Sequence, residues 1–302
     1  MTYYVPKATH RAPSMAQRGN STVKAIVVAI ISFLIGFQSG KAQTAAPNDT
    51  HPEIRSFDHI FMVLLENVGY EAVIGNTIDA PYINDTLLPK GTLYTQSFGM
   101  RHPSLPNYLA LFSGSMHGVT NDSCSNGPFG APNLYGRMTR AGLTIQGLME
   151  SLPYDGFPGC RDGHYLKRHN PFPFFTGVPA SAWVVYNGLP AVVPNFVFIV
   201  PNNRHNMHDG ENLARKMQQG DRWLSENLPQ FIHYANTRNG LVILTMDEGH
   251  VANHIPTLLI GPRIARGATN NMQVNHYNVL KTVTDNFGLD PLGQCAGLPG
   301  LY

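Results

Sequence analysis

Three short, unbroken apolar runs constrain most strongly what this chain of 302 residues can fold into. They are IFMVLL at 60–65, FVFIV at 196–200 and LVILT at 241–245. Runs of this length, rich in β-branched and aromatic residues, are typical of parallel strands that are covered on both faces. Because segments with helical periodicity lie between them, we expect an α/β fold: a three-layer sandwich with a mainly parallel central sheet.

Four segments place apolar residues at helical spacing, at 143–152, 211–219, 221–231 and 277–287. From about residue 52 onward, the sequence contains no internal repeat, charge block or low-complexity linker. We therefore expect one domain over residues 57–302, preceded by a flexible tail over residues 43–56.

The N-terminal segment carries the positive charge of the chain. The net charge is +2, from 21 Lys and Arg against 19 Asp and Glu, but residues 1–42 hold five basic residues and no acidic one. The apolar run at 25–37 follows Lys24 and has the length of a signal peptide core rather than of a membrane span. We predict that residues 1–42 are an export signal, with an uncleaved anchor or a buried helix as alternatives.

The charge balance argues against nucleic acid as a partner, and the cysteine positions are compatible with an oxidising compartment. Without residues 1–42 the charges are 16 basic against 19 acidic, so no basic surface for nucleic acid is expected. Cys124 and Cys160 lie in loops rich in Gly, Asn and Pro and could pair in an oxidising compartment, which leaves Cys295 over. The absence of a CxxC spacing argues against a thiolate zinc site.

Polar side chains follow each of the three apolar runs. Glu66 and Asn67 follow the first, the segment 201–209 follows the second, and Asp247 and Glu248 follow the third. The carboxyl ends of parallel strands share one edge, so these oxygens should meet there. Carboxylates and amides are ligands of hard divalent cations, and a cation would offset the repulsion among three carboxylates. Alternatively, one residue of each adjacent pair faces away.

The segment HPSLPNY at 102–108 contains a candidate nucleophile. Pro106 is suited to the first turn of a helix, which puts Ser104 at the N-terminus of that helix. Free N–H groups and the helix dipole favour an anion at this position, such as an alkoxide or a phosphorylated serine. Alternatively, Ser104 is only an N-cap.

Six motifs occur in an order that resembles a known family. They are EN at 66–67, HPSLPNY at 102–108, KRHNPF at 167–172, PN at 201–202 with MHDG at 207–210, DEG at 247–249, and a closing segment from His276 to Gly293. This order resembles the phosphoesterase family that joins bacterial phospholipases C with acid phosphatases, within the alkaline phosphatase superfamily. The similarity spans roughly residues 57–293 and is closest to the acid phosphatase branch, which implies an alkaline-phosphatase-like fold.

The resemblance also implies roles for individual residues. The implied ligands of a divalent metal ion, whose identity the sequence leaves open, are Glu66, Asn67, Ser104, Asp247 and Glu248. The implied catalytic residues are Ser104, His169, His208 and His254. Ser104 would attack phosphorus, and the histidines would bind the phosphate and transfer protons.

The expected activity is that of an exported, metal-dependent phosphomonoesterase, acting on small phosphate esters through a phosphoserine. The chain reads Val68-Gly69-Tyr70 where phospholipase members carry Arg-Ser-Phe, and it is short for their extra C-terminal modules, which favours a phosphatase. The alternatives are a phospholipase C-type phosphodiesterase and a non-catalytic phosphate- or metal-binding protein. The expected partner is a small phosphorylated substrate, with membrane contact only through an uncleaved leader.

Overall fold

A computed structural model of the protein describes residues 57–250 and 252–302. The predicted export signal at 1–42 and the tail at 43–56 lie outside the described residues. Within these two ranges, no helix is long and apolar enough to cross a membrane. The strands are β1 (His59–Leu65), β2 (Thr92–Phe98), β3 (Ile145–Met149), β4 (Arg161–Asp162), β5 (Tyr165–Leu166), β6 (Trp183–Val185), β7 (Phe196–Val200), β8 (Gly240–Met246), β9 (His254–Ile260) and β10 (Ala268–Asn275). The α-helices are α1 (Tyr70–Val73), α2 (Ser104–Ser113), α3 (Leu134–Arg140), α4 (Leu213–Thr237) and α5 (His276–Asn286).

Eight strands form one sheet in the order β10-β2-β9-β8-β1-β7-β3-β6, and β4 and β5 form a separate hairpin. At the centre, β1 pairs in parallel with both β7 and β8, so that Ile60 is aligned with Phe196 and with Leu241. In the described part of the chain, β9 is the one strand of this sheet that runs antiparallel to its neighbours, β2 and β8. The predicted α/β fold with a mainly parallel sheet is confirmed.

The sheet is covered on both faces. Helices α2, α3 and α5 contribute to the apolar cluster on one face, and α1 and α4 contribute to the cluster on the other. Alternate residues of β1 enter the two clusters, Met62 the first and Val63 the second, and both are fully buried. Burying such a side chain stabilises the fold by roughly 1.5–3 kcal/mol. Two-sided burial therefore explains why the central strands are unbroken apolar runs in the sequence.

The predicted helix at 143–152 is wrong, because this segment contains strand β3. Its five residues pair in parallel with β7 on one side, and the last three, from Gly147 to Met149, pair in parallel with β6 on the other. A Cβ atom on Gly147 would lie 2.7 Å from the Phe172 ring, so this glycine lets the strand backbone approach the aromatic ring. Periodicity alone does not separate a short buried strand from a helix.

The two helical patterns at 211–219 and 221–231 belong to one continuous helix, α4. Asn212 is its N-cap, and its side chain accepts a hydrogen bond from the backbone N–H of Arg215. Gly220, which separates the two patterns, packs so closely on Met207 that an added Cβ would lie 2.4 Å from Met207 Cγ. Gly220 thus allows close packing against Met207 and does not interrupt the helix. The pattern at 277–287 is confirmed as α5.

Candidate active site

The ends of β1, β7 and β8 meet at one edge of the sheet, as the strand order predicts. The backbone N–H of Glu66 donates to the carbonyl of Asn206, in the segment after β7, at 2.7 Å. The backbone N–H of Asp247, after β8, donates to the carbonyl of Leu65 at 3.0 Å. Backbone hydrogen bonds therefore fix the polar residues of three strand ends against one another.

Three carboxylates are buried at this edge, those of Glu66, Asp247 and Glu248. Asp247 Oδ1 accepts the backbone N–H groups of Asn67 at 3.0 Å and Glu248 at 2.7 Å. Asn67 has a φ of 49°, in the left-handed region, so the chain turns directly after Glu66. Asn67 therefore contacts the cluster through its backbone N–H, and its predicted role as a side-chain ligand stays a prediction.

Burial and mutual repulsion disfavour the ionised forms of the three carboxyl groups. Burial, and then the charges of neighbouring carboxylates, raise the pKa of Glu66 well above its usual range. The same causes raise the pKa of Asp247, with Glu248 as the main neighbouring charge, and burial followed by the charge of Asp122 raises the pKa of Glu248. Asp247 Oδ2 is buried and has no hydrogen-bond partner among the described residues. A bound cation would favour the ionised forms of the three carboxyl groups and so lower their pKa values, and it would give Asp247 Oδ2 a partner.

Ser104 is the first residue of α2, and its side chain lies among the carboxylates. Its Oγ donates to Glu66 Oε2 at 2.9 Å and lies 3.5 Å from Glu248 Oε1. The preceding Pro103 is extended, and Pro106 falls in the first turn of the helix, as predicted. The helix start thus places this hydroxyl beside two carboxylates.

The N-terminus of α2 is only partly available to a phosphate. The backbone N–H of Leu105 donates to Asp122 Oδ1 at 2.9 Å, and Pro106 has no N–H group. Two of the first three residues of the helix therefore present no free N–H. The expectation that this helix start supplies several free donors is corrected accordingly, and side chains must meet most of the charge of a bound phosphate.

Arg168 is the main cationic group that the sequence reasoning missed, although it lies inside the KRHNPF motif. Its Nε lies 3.0 Å from His169 Nε2 and 3.5 Å from Asp122 Oδ2. Its Nη2 lies 3.4 Å from His208 Nε2. The guanidinium therefore joins both predicted phosphate-pocket histidines, and a basic residue directly before the motif histidine was the available signal.

His169 and His208 lie together, with ring centroids 6.1 Å apart. His169 Nε2 is 3.2 Å from Glu66 Oε1, and burial, followed by the charges of Arg168 and His208, lowers its pKa well below the usual range. His208 is partly exposed, and its Nδ1 lies 2.8 Å from Asp209 Oδ1. The buried ring is therefore neutral, whereas the other faces solvent.

His254 is not brought into this cluster. It is the first residue of β9, and its Nδ1 lies 2.6 Å from Glu71 Oε1 while its Nε2 lies 2.9 Å from the carbonyl of Thr95. Its ring stacks on Tyr70 and Phe98, at centroid distances of 4.3 and 5.1 Å. Both ring nitrogens are thus engaged in contacts that connect β9 to α1 and β2, and the catalytic role implied by resemblance has no support from these contacts.

We expect His254→Gln to affect mainly the stability of the fold and His208→Gln to affect mainly catalysis. Losing the stacked ring of His254 should lower the unfolding free energy by about 1–3 kcal/mol, with kcat changed less than about threefold. Replacing His208 should lower kcat/KM on the order of 10²-fold with little change in stability. Urea denaturation measures the unfolding free energy of each variant, and aryl phosphate hydrolysis measures its kcat and kcat/KM. A loss of kcat on the order of 10²-fold in His254→Gln would restore His254 to the catalytic set.

Two further histidines support the acidic pair. His102 Nδ1 lies 2.6 Å from Glu248 Oε2, and His276 Nε2 lies 2.6 Å from the backbone carbonyl of Asp247. Burial lowers the pKa of His276 to about 4, so near neutral pH it is an uncharged donor to that carbonyl. Tyr108 adds a further contact, since its hydroxyl donates to Glu66 Oε1 at 2.7 Å. The sequence reasoning assigned none of these contacts.

A disulfide joins Cys124 and Cys160, the pair that the loop positions suggested, with 5.5 Å between the Cα atoms. The backbone N–H of Lys167 donates to the carbonyl of Cys160 at 2.9 Å, and Asp122 lies two residues before Cys124. The cross-link thus connects the loop that carries Asp122 to the turn that carries Arg168. Cys295 is free and buried.

An open groove of about 600 Å³ lies next to the acidic pair. It is lined from one side by Met100, Arg101 and His102 and from the other by His250 and Asn253. His102 connects it to the site, because its ring contacts Glu248. The groove gives the site room for a substrate larger than phosphate itself.

The donor chemistry of the cluster fits a hard or borderline divalent cation. Its oxygens come from carboxylates and a hydroxyl, and buried Asp247 Oδ2 has no donor. Across residues 57–250 and 252–302, however, no three His, Cys, Asp or Glu side chains are arranged so as to enclose one ion. The residues therefore fit a metal by their chemistry, and the predicted ligand set stays a prediction.

Comparison with solved structures supports the fold. A protein of the alkaline phosphatase superfamily from Vibrio parahaemolyticus matches with a TM-score of 0.57 at 15% identity, over 78% of this chain and 67% of the other. Among curated proteins, phosphatidylinositol-3-phosphatase of Mycobacterium tuberculosis is 33% identical over 97% of this chain and 96% of its own length. The phosphate-repressible acid phosphatase of Penicillium chrysogenum is 28% identical over 79% of this chain, which spans 61% of that protein.

Fold and relatives together define the class of protein, an enzyme that hydrolyses phosphoric esters on an alkaline-phosphatase-like fold. Its substrate is a phosphoric ester. The chain belongs to the Phosphoesterase family, which it matches over residues 77–290. The resemblance of its ordered motifs to this family is confirmed. This family and the alkaline phosphatase superfamily are generally metal-dependent.

Proposed function

We propose that this phosphoesterase is a metal-dependent phosphomonoesterase that uses Ser104 as its nucleophile. The observation that carries the proposal is the position of Ser104 Oγ, 2.9 Å from Glu66 Oε2 and 3.5 Å from Glu248 Oε1 at the start of α2. A hydroxyl that donates to a buried carboxylate can lose its proton as it attacks. The N-cap of α2 is Pro103 and not Ser104, and the hydrogen bonds of Ser104 Oγ in the described part of the chain go to side-chain carboxylates instead of to the backbone of its own helix.

Oxygen atoms at the site would hold the metal, supplied by the predicted ligands Glu66, Asn67, Ser104, Asp247 and Glu248. When bound, such an ion supplies positive charge that polarises a phosphoryl oxygen and favours the alkoxide form of a serine. The unpartnered Asp247 Oδ2 and the raised pKa values of the three carboxyl groups support this assignment.

The protein's own residues account for the remaining steps. Ser104 Oγ attacks phosphorus, the bond to the leaving oxygen breaks, and a phosphoserine forms. Arg168 neutralises charge on the phosphoryl oxygens, and the neighbouring His169 and His208 line the same phosphate pocket. The partly exposed His208 would give a proton to the leaving oxygen and take one from the water that hydrolyses the phosphoserine. The groove beside His102 would hold the alcohol portion of the substrate.

Substrate preference is tested with a panel of esters. The relative named phosphatidylinositol-3-phosphatase, which is similar over nearly the whole chain, makes phosphatidylinositol 3-phosphate the first lipid to include. We expect phosphate release from this lipid or from an aryl phosphate to exceed turnover of an aryl phosphodiester by at least about 10²-fold. Release of phosphocholine from phosphatidylcholine at a comparable rate would instead establish the phospholipase C alternative.

Metal removal is the second test. Dialysis against a chelator should lower phosphate release by at least about 10²-fold, because the three carboxylates would then repel a phosphate dianion. Adding back single divalent cations should restore activity and identify the ion. The proposal fails if the chelated protein, shown to be metal-free by elemental analysis, keeps its full activity. Tight metal binding without turnover of any ester would favour a binding protein.

We further propose that residues 1–42 export the enzyme. The basic N-terminal flank and the apolar run at 25–37 support this, and so does the Cys124–Cys160 disulfide, since disulfides persist in oxidising compartments. In a cell fractionation, the enzyme should be found outside the cytoplasm with its N-terminus near residue 43. Recovery of the full-length chain from the cytoplasm would contradict export, and recovery of it from membranes would favour an anchor.

A further inference from the structure

A second, basic pocket of about 220 Å³ lies between the turn after β7 and helix α4. Three arginines line it, Arg204 from the turn and Arg215 and Arg222 from the helix. Arg215 and Arg222 are seven residues apart, two helical turns, so they lie on one face of α4. The ring of Trp223, which is itself buried, forms part of the wall. The pocket shares no residue with the cluster around Ser104.

The three guanidinium groups have no neutralising partner in the described part of the chain. No Asp or Glu carboxylate of residues 57–250 and 252–302 lies within 4.0 Å of any of them. Glu226 is the one acidic residue in the lining, and His205 Nδ1 faces Glu150 Oε1 at 2.8 Å. Arg204, Arg215 and Arg222 are exposed residues that line one pocket, and their positive charge favours an anion there.

We propose that this pocket is an accessory site for a phosphate group, separate from the site of hydrolysis. Guanidinium groups bind phosphate through paired N–H donors, and three arginines line this pocket, one from the turn after β7 and two from α4. The volume equals that of about seven water molecules and lies below the roughly 300–1,000 Å³ of pockets for drug-sized ligands. It therefore suits one phosphate group with a small substituent.

The pocket is linked to the site of hydrolysis through the segment after β7. Arg204 and His205 directly precede Asn206, whose carbonyl accepts the backbone N–H of Glu66 at 2.7 Å and whose Nδ2 lies 3.4 Å from His169 Nδ1. A phosphate held between Arg204 and α4 would fix this segment from its outer side. The accessory site thus contacts the segment that positions Glu66 and His169 without contacting a phosphoryl group at Ser104.

The test uses Trp223 as a reporter in the full chain. The chain has two tryptophans, so Trp183→Phe leaves Trp223 as the only one. Inorganic phosphate is titrated into the metal-free protein, with chelator present and ionic strength held constant with sodium chloride. We expect a saturable change in Trp223 fluorescence, and a dissociation constant raised at least about tenfold in Arg215→Gln/Arg222→Gln. Should Trp183→Phe not fold, calorimetry on the wild-type background gives the same constants.

A matched control keeps the helix and removes a distant charge. Arg238→Gln changes the residue that caps the C-terminus of α4 and should leave the dissociation constant unchanged. Phosphatidylcholine vesicles that contain phosphatidylinositol 3-phosphate form the second arm, which distinguishes a lipid headgroup from free phosphate. Binding in either arm that depends on Arg215 and Arg222 supports the site. An equal constant in the double variant, or an equal response to chloride alone, overturns it.

Discussion

Replacing Ser104 with alanine should lower kcat for aryl phosphate hydrolysis by on the order of 10³-fold or more, because the attacking oxygen is removed. The fold should persist, since the serine side chain makes its hydrogen bond to Glu66 and not to the backbone of α2. Acid quenching of the wild-type enzyme during turnover, followed by mass spectrometry, should find one phosphoryl group on the peptide that contains Ser104.

Ser113 provides the matched control, as the last residue of the same helix. Its Oγ donates to the carbonyl of Leu109 at 2.9 Å and contacts none of the site carboxylates. Ser113→Ala should therefore cost about 1 kcal/mol of stability and leave kcat within about twofold of the wild-type value. If Ser104→Ala kept more than about a tenth of the activity, or if the phosphoryl group were found elsewhere, Ser104 would not be the nucleophile.

Replacing Asp247 with asparagine should stabilise the metal-free protein while it inactivates the enzyme. The amide can keep an oxygen acceptor for the N–H groups of Asn67 and Glu248, and it places an N–H₂ group where the unpartnered Oδ2 now lies. It also removes one of three buried charges, so at pH 8 we expect about 1–3 kcal/mol more unfolding free energy. Phosphate release should fall by about 10²-fold or more.

Asp221 is the control, because it is a buried carboxylate that binds backbone amides away from the site. Both of its oxygens are used, Oδ2 by the N–H of Tyr82 and Oδ1 by the N–H of Ile83. Asp221→Asn places an amide N–H₂ against a donor and should lose about 1–3 kcal/mol with activity retained. Urea denaturation of both metal-free variants should show that the unfolding free energy rises in Asp247→Asn and falls in Asp221→Asn. A destabilised, active Asp247→Asn variant would remove Asp247 from the site.

The central strands were predictable because their signal is local. Strands β1, β7 and β8 are buried on both faces, so each is visible as one apolar run. The edge strand β10 is not, since its mixed sequence from Ala268 to Asn275 has mostly partly exposed residues and its pairing with β2 is set by a distant segment. The prediction relied on strands that alternate with helices and run parallel. Strands β2 and β9 do not follow this pattern, because β9 runs antiparallel to both β2 and β8.

The same distinction applies to the site. Glu66, Asp247 and Glu248 could be located from sequence because the ends of buried strands share an edge. Asp122 could not, because its contact with Leu105 depends on a loop that returns to α2 after 17 residues. His276 is 29 residues from Asp247, whose carbonyl it contacts only through the packing of α5 beside the sheet. Residues positioned by loop closure and helix packing leave no periodic signal.

Because β9 runs antiparallel to β8, the segment between these two strands can change in sequence and length while the strand ends of the site stay fixed. A parallel neighbour would need a crossover helix after β8, whereas β8 and β9 are joined by a short turn that carries Glu248 at its start and His250 and Asn253 on the groove. Residues added to that turn would remodel the groove wall and leave strand register unchanged. Natural or laboratory diversification of leaving-group preference should therefore concentrate in this turn, while the strand ends that hold Glu66 and Asp247 stay fixed.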